Sequence, residues 1–294
     1  MRVVAIIVCF NPDLAKVEAL AATLVHNGVQ VVIVDNSSIS DLHRLRCASD
    51  CIIVPMGVNR GIAAAQNEGI RLARAHDAEI VLFFDQDSTI APDFVGRLLA
   101  HSRPNEPHVV APRGIDDQSG EELEAMRVIA GGRVKSIKPG NGVALVRVDI
   151  VISSGMAVTA AALDIVGEMN PDLFIDLVDT EWCLRARASG VPVEIVTDAV
   201  MEHRIGSRSV RRLGMTVLVH SPRRCYYQIR NPLLLFRMRH VPKLFALTEF
   251  ASIMISRLLL LGAVSERTAY ATHILDGLRD GVLGRAGPYP GNSK

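Results

Sequence analysis

Val81–Ile90 reads VLFFDQDSTI. Its four leading apolar residues have the character of a strand buried on both faces. The run then meets two aspartates one residue apart, Asp85 and Asp87, followed by Ser88 and Thr89. Carboxylates are too costly to leave unpaired in an apolar core, so the chain must surface at this point. The pattern recurs on the N-terminal side. Val3–Cys9 and Val31–Val34 are β-branched apolar runs, and Ile52–Val54 is a shorter one. Between them, Asp13–His26 (apolar at Leu14, Val17, Leu20 and Leu24) and Gly61–His76 (Ile62, Ala65, Ile70, Ala73) carry helical spacing. Pro92 opens a further helix at the first-turn position proline tolerates. Apolar strands alternating with helices predict a mostly parallel α/β sheet covered on both faces. Such sheets bind ligands beyond the carboxyl ends of their strands. Asp35, which closes the second run, and the Asp85/Asp87 pair both stand at such ends.

The second half is less regular. Val109–Ala111, Val143–Val148 and Val193–Val196 read as strands. A polar connection, GIDDQSGEELE, lies between the first two. SSGMAVTAAALDIVG, from Ser153, reads as a turn, a short strand and a helix. FIDLVDTEWCLRARASG, from Phe174, begins extended and becomes a helix that Gly190 stops. Leu244–Val264 is a long apolar segment interrupted by Glu249 and Arg257. Two charges argue against a clean membrane span and favour a helix lying at an interface or packed on the domain. The chain is therefore expected to hold one main α/β domain over residues 1–235 and a C-terminal helical segment over 236–294 that either associates with a membrane or packs on the domain.

The composition excludes disorder: 49% of the 294 residues are hydrophobic and 21% charged. The net charge of +1 names no partner, but from His203 to Lys243 there are nine arginines, one lysine and no acidic residue. That segment favours anions such as a diphosphate or lipid headgroups. It has no signature of nucleic-acid recognition. Five cysteines, an odd number with no CxxC pair, fit a reduced cytoplasmic protein without structural zinc. The Val3–Cys9 run is short, is stopped by FNPD and has no small-residue cleavage site, so it is expected to be a buried strand and not a signal peptide.

Paired carboxylates at a strand end suit a hard divalent cation, Mg²⁺ or Mn²⁺, that bridges phosphate oxygens. Asp87 is the candidate ligand, while Asp85 either binds a sugar or nucleotide hydroxyl or acts through water. Asp35 is placed to accept hydrogen bonds from a base or ribose. No GxGxxG follows the first strand and no GxxxxGK[ST] occurs, which disfavours dinucleotide and P-loop chemistry. Asn59 and Gly61 open a helix over the same edge. DQDST also fits the DxDx[TV] nucleophile motif of haloacid-dehalogenase-like phosphatases. There the motif follows the first strand, whereas here at least three strands precede it.

Taken in series, CFNPD, VDNSS, NRGIAAAQNEGI, LFFDQDS, SSGMAV, FIDLVDTEWCLRARASG, HRIGS and HSPRRCYYQIRN cover roughly residues 1–235. In this order the chain resembles family 2 glycosyltransferases of the GT-A fold, and within them the bacterial rhamnosyltransferase-like group. The resemblance implies a base- or ribose-binding role for Asp35, a DxD role for Asp85 and Asp87, and a place for His203 near the metal or the diphosphate. It implies that Asp179 is the general base of an inverting transfer. Where the family has Glu-Asp this chain has Val178-Asp179, so Glu181, two positions on, is the rival base. Arg223, Arg224 and Arg230 are expected to stabilise the leaving diphosphate. Ser154 and Gly155 are expected in an acceptor-pocket turn, and Trp182 either stacks on a sugar or anchors the core. The implied reaction moves L-rhamnose from dTDP-L-rhamnose, with a divalent cation, to a glycan or lipid-linked glycan. That would serve cell-surface polysaccharide such as O-antigen, at the cytoplasmic face of the membrane. A non-catalytic nucleotide-sugar-binding module on the same fold is the other reading.

Overall fold

The computed structural model describes residues 1–290 except 118, 141, 204–208 and 213–214, and for His203, 209–212 and 215–216 it describes the backbone alone. In chain order the first half holds β1 (Val3–Cys9), α1 (Leu14–His26), β2 (Gln30–Asp35), β3 (Cys51–Pro55), α2 (Ile62–Ala75), β4 (Ile80–Asp85), β5 (Thr89–Ile90) and α3 (Phe94–Leu99). There follow β6 (Val109–Asp116), β7 (Ala125–Val128), β8 (Val134–Ile137), β9 (Leu145–Val148), β10 (Ala157–Thr159), α4 (Ala160–Val166), α5 (Val178–Ala188) and β11 (Val193–His203). The chain closes with β12 (Ser209–Arg212), β13 (Met215–Leu218), α6 (Pro222–Arg237), α7 (Lys243–Leu261) and α8 (Arg267–Leu283).

The main sheet runs β3-β2-β1-β4-β10-β6-β11-β5, with β9 also paired to β11. Its first four strands are parallel, as their uninterrupted apolar runs predict. Alternation along each strand divides two cores. Val4 and Ile6 of β1, Val32 and Val34 of β2, and Val81 and Phe83 of β4 pack with α2, α4 and α5. Ala5, Ile7, Val31, Ile33, Leu82 and Phe84 face the other way, onto α1 and α3. Each such side chain contributes about 1.5–3 kcal/mol when fully buried. Gly69 lets α2 press onto β1, since a Cβ there would lie 2.4 Å from Ile6 Cγ2.

Beyond β4 the order changes. The short β10 inserts antiparallel between β4 and β6, and β5 and β9 also run antiparallel to β11. The β7–β8 hairpin, with Gly131 and Gly132 both at positive φ, was not expected from the sequence. The boundary expected at Leu235 falls inside α6, which runs unbroken from Pro222 to Arg237. Leu234 and Leu235 of α6 and Phe245 and Ala246 of α7 belong to the same core as α2 and α5. Helix α8 packs closely on α6, where a Cβ at Gly277 would lie 2.5 Å from the Tyr226 carbonyl oxygen. Helices α6 and α7 thus share the core of the sheet, while Tyr270 and Ile274 of α8 pack with Cys225, Ile229 and Leu260 in a separate cluster. On α7, Arg257 turns inward, donating to the Leu218 carbonyl at 3.1 Å, while Leu247, Ile255 and Leu258 are exposed. By length and composition α7 could cross a membrane.

Candidate active site

Register sets the first part of the site. Cys9 pairs with Asp35 on one side of β1, and Val8 pairs with Asp85 on the other. The two carboxylates therefore flank the carboxyl end of one strand. Asp35 is 1% exposed. Its Oδ1 accepts the Ser37 N–H at 3.0 Å, and its Oδ2 is buried without a hydrogen-bond partner. A buried carboxylate oxygen left unpaired is costly, and a ligand hydroxyl or N–H would satisfy it.

Asn59 and Gly61 shape the neighbouring loop. Asn59 Oδ1 accepts from Gly61 N at 2.9 Å and from Asn36 Nδ2 at 3.0 Å. Asn36 Oδ1 in turn accepts from Arg60 N at 2.7 Å. Gly61 has φ +86°, and a Cβ there would lie 2.5 Å from the Phe174 carbonyl oxygen. That oxygen accepts the Ile62 N–H at 2.8 Å, which docks the start of α2 on the chain just ahead of Asp179.

The DQD tip is fixed from both sides. Gln86, the residue between the aspartates, accepts from Phe10 N at 2.7 Å and donates to Phe10 O at 3.3 Å. Gln86 was not singled out in the sequence, because nothing local marks a residue whose partner lies 76 positions away. Behind the tip, Ser154 Oγ lies 2.6 Å from Ser88 Oγ and accepts the Asp85 N–H at 3.3 Å. Gly155 donates to the Phe83 carbonyl at 2.7 Å, and its positive φ sets it hard against Pro112. Ser154 and Gly155, expected in an acceptor-pocket turn, are buried and support the β4 tip.

Asp179 stands at the start of α5, partly exposed. Its Oδ1 accepts the Thr180 N–H at 2.8 Å and its Oδ2 accepts the Ser153 N–H at 3.3 Å. Burial pushes its carboxyl above the ordinary range; those backbone donors pull the other way, and the nearby Asp176 charge adds to the rise. Phe174, Asp176 and Leu177, just ahead of it, all hold left-handed φ values of 62–65°. Non-glycine residues in this region store of order 1–3 kcal/mol each, a pattern that clusters at active sites.

Arg224 forks onto Asp176, with Nε at 3.1 and 3.2 Å and Nη2 at 2.8 Å from its oxygens. Its charge is also felt by Asp85, which brings the basic segment to the DxD side. Neighbouring His220 has its imidazole pushed down to about 4, by burial first and then by the Arg224 charge. His220 had passed unnoticed in the sequence.

Other expected residues lie elsewhere. Glu181 is 2% exposed and committed: Arg185 donates to it through Nε and Nη2 at 3.0 Å each, and His240 Nε2 lies 2.8 Å away. Glu181 is thus held in a buried ion pair with Arg185. Trp182 is fully buried and donates Nε1–H to the Gly167 carbonyl at 2.8 Å, so it anchors the core and does not stack on a sugar. Arg230 is likewise fully buried, bound to backbone carbonyls, and is not open to a diphosphate. Arg223 is exposed at the start of α6. The side chain of His203 lies outside the described residues. Among the described residues, no three His, Cys, Asp or Glu side chains converge as a metal cage. Asp85 and Asp87 remain a hard carboxylate pair, which is what a cation bound jointly by protein and substrate phosphates requires.

Asp35 and the Asp85/Asp87 pair, at the carboxyl ends of parallel strands in a doubly covered α/β sheet, mark the edge where such sheets bind their ligands. The profile of glycosyl transferase family 2 matches residues 4–144. The dTDP-rhamnosyl transferase RfbF of Shigella flexneri is 36% identical over 288 residues, 97% of each chain. The chain belongs to glycosyl transferase family 2 and is a glycosyltransferase. Among solved structures, S. aureus TarS residues 1–349 in complex with UDP-GlcNAc superposes with a TM-score of 0.59 at 14% identity, covering 97% of this chain and 82% of that one. GalNAc-T7 with UDP, GalNAc and Mn²⁺ superposes with a TM-score of 0.55 at 13% identity, over 72% of this chain and 44% of that one. These share the GT-A fold expected from the sequence. The phosphatase and non-catalytic readings are not favoured: DQDST closes the fourth strand, β4, and lies within the residues that the transferase family profile matches.

Proposed function

We propose that the protein transfers L-rhamnose from dTDP-L-rhamnose to a hydroxyl of a glycan or lipid-linked glycan, with inversion at the anomeric carbon. The observation that carries the reading is the setting of Asp179. Its carboxylate is held by backbone N–H groups at a helix start, and one support, Ser153, is chain neighbour to Ser154, the support of the DQD tip. Base and donor-binding acids are thereby tied through one turn. The 36% identity to a protein named dTDP-rhamnosyl transferase supports the choice of donor.

In this reading Asp35 accepts hydrogen bonds from the base or ribose with its unpaired oxygen. Asp179 takes the proton from the acceptor hydroxyl. That oxygen attacks the anomeric carbon as the bond to the diphosphate breaks on the opposite face. A positioned carboxylate base contributes ~10²–10⁴-fold in rate. Arg224, with Arg223 beside it, offers the leaving diphosphate charge-assisted hydrogen bonds. Asp87, with Asp85, would hold a Mg²⁺ or Mn²⁺ ion, which neutralises developing charge on the diphosphate. The exposed apolar stripe of α7 and the neighbouring arginines support peripheral contact with the cytoplasmic face of a membrane, where a lipid-linked acceptor for surface polysaccharide would be met.

A thermal-shift screen of nucleotide sugars with and without Mn²⁺ tests the donor. A ligand at 100 times its Kd stabilises by about 2.7 kcal/mol. The expected result is the largest shift with dTDP-L-rhamnose, followed by transfer to an acceptor with inverted linkage. A larger shift and turnover with a UDP-sugar would reject the donor assignment.

A further inference from the structure

The segment ahead of Asp179 is held from behind. Phe174, Asp176 and Leu177 occupy left-handed backbone that L side chains resist, so something must keep them there. The amide of Asn231 does this most directly. Its Nδ2 lies 3.0 Å from the Leu173 carbonyl, 2.7 Å from Ile175 O and 2.8 Å from Asp176 O. Arg230 Nε donates to Asn231 Oδ1 at 3.0 Å, which fixes which way the amide faces. The same guanidinium donates through Nη2 to Asp172 O at 2.9 Å and Leu173 O at 3.1 Å.

The clamp has an outer layer. Tyr227 stacks flat on Phe174, ring centroids 4.7 Å apart, and the Arg230 guanidinium lies 4.9 Å from the Tyr227 ring centre. The C-terminal stretch crosses over it: Gly287 N donates to Asp172 O and Tyr289 N to Tyr227 Oη, each at 2.8 Å. Arg230 also donates to the Gly287 carbonyl. Both clamp residues are fully buried. A buried guanidinium held by carbonyls and rings is an expensive choice when an apolar side chain would fill the space. Apart from Nε, which holds Asn231, its donors end on the turn that leads into Asp179 or on the strap that covers that turn.

We propose that Arg230 and Asn231 are positioning residues, a clamp that fixes the 172–177 turn and so the aim of the Asp179 carboxylate at the acceptor hydroxyl. This rests on Asp179 being the base. The clamp touches neither donor nor acceptor, so it governs kcat and leaves donor binding to Asp35, Arg224 and the β4 tip.

The test compares Asn231→Ser and Arg230→Lys with Arg237→Ala. Arg237 is on the same helix and bonds the Gly281 and Val282 carbonyls of α8, so its loss loosens packing alone. Steady-state kinetics use the full chain with dTDP-L-rhamnose, corrected for the folded fraction. The clamp variants are expected to lower kcat at least tenfold and to leave donor KM within about twofold. They should also move the acid limb of the pH profile to lower pH, as water reaches a less confined Asp179. Arg237→Ala should lower Tm without moving kcat or the limb. If the clamp variants lower only Tm, the pair is merely structural and the proposal fails; should Asn231→Ser not fold, Arg230→Lys decides alone. Asp179→Asn is run in parallel: retained turnover there overturns the base assignment and the clamp with it.

Discussion

Ser153 donates its backbone N–H to Asp179 Oδ2 across 3.3 Å, linking two residues 26 positions apart. With Thr180 N–H on the other oxygen, the carboxylate is oriented by backbone alone. Asp179→Asn preserves size and keeps one of these two backbone bonds but cannot accept a proton. Its kcat should fall by two or more orders of magnitude, and dTDP affinity measured by calorimetry should not change.

The same substitution should stabilise the protein. Burial raises the folded-state pKa of Asp179 above its unfolded value. Between the two values the native state holds more protons, so stability is lost as pH rises through the folded value. At pH 7 the Asn variant should therefore melt above the wild type. The gap should close in acid, which melting curves taken across the acid range will show.

Glu181→Gln should behave in the opposite sense. It leaves Arg185 and His240 around an uncharged amide in a buried place, costing roughly 1–3 kcal/mol of stability. Turnover per folded molecule should stay within a few-fold of wild type. Urea titration and kcat together separate this from the effect at Asp179.

His220 carries a stability signature of its own. Its folded pKa is pushed down to about 4, below the usual histidine value. Across that window the unfolded chain binds a proton the native state refuses, so stability falls as pH drops from neutrality toward 4. His220→Gln should flatten the dependence of Tm on pH in this window; an unchanged slope would clear His220 of it.

Chelation tests the carboxylate pair. EDTA should abolish transfer, and Asp87→Ala should match the chelated enzyme with and without added Mn²⁺. Full activity in EDTA would leave the arginines to stabilise the leaving group.

The exposed face of α7 should bind anionic vesicles. Sedimentation should weaken with salt, since each basic residue near such a surface contributes about 1 kcal/mol. Leu247→Asp with Leu258→Asp should abolish it. Unchanged sedimentation of that variant would place any contact elsewhere.

The strand ends were legible because local pattern governs them. A β-branched run fully buried in a parallel sheet has one place to put a carboxylate, its tip, so Asp35, Asp85 and Asp87 could be placed from VVIVD and LFFDQD. The helices of the first half followed from apolar spacing, and Asp179 from its motif. Tertiary structure decided the partners. Glu181 and Asp179 lie two positions apart in one segment, and only the approach of Arg185 and His240 to one, and of Ser153 to the other, separates an ion-paired carboxylate from one held by backbone N–H groups. Trp182 was left between a sugar platform and a core anchor, and Arg230 was expected at the diphosphate; both side chains are buried. Ser154 and Gly155 were found to brace β4, and Asn231 and Gln86 gained their roles from carbonyls and a turn far away in sequence. A residue's type limits what it can bond, but burial and pairing depend on neighbours that only the folded chain brings within 3 Å of it.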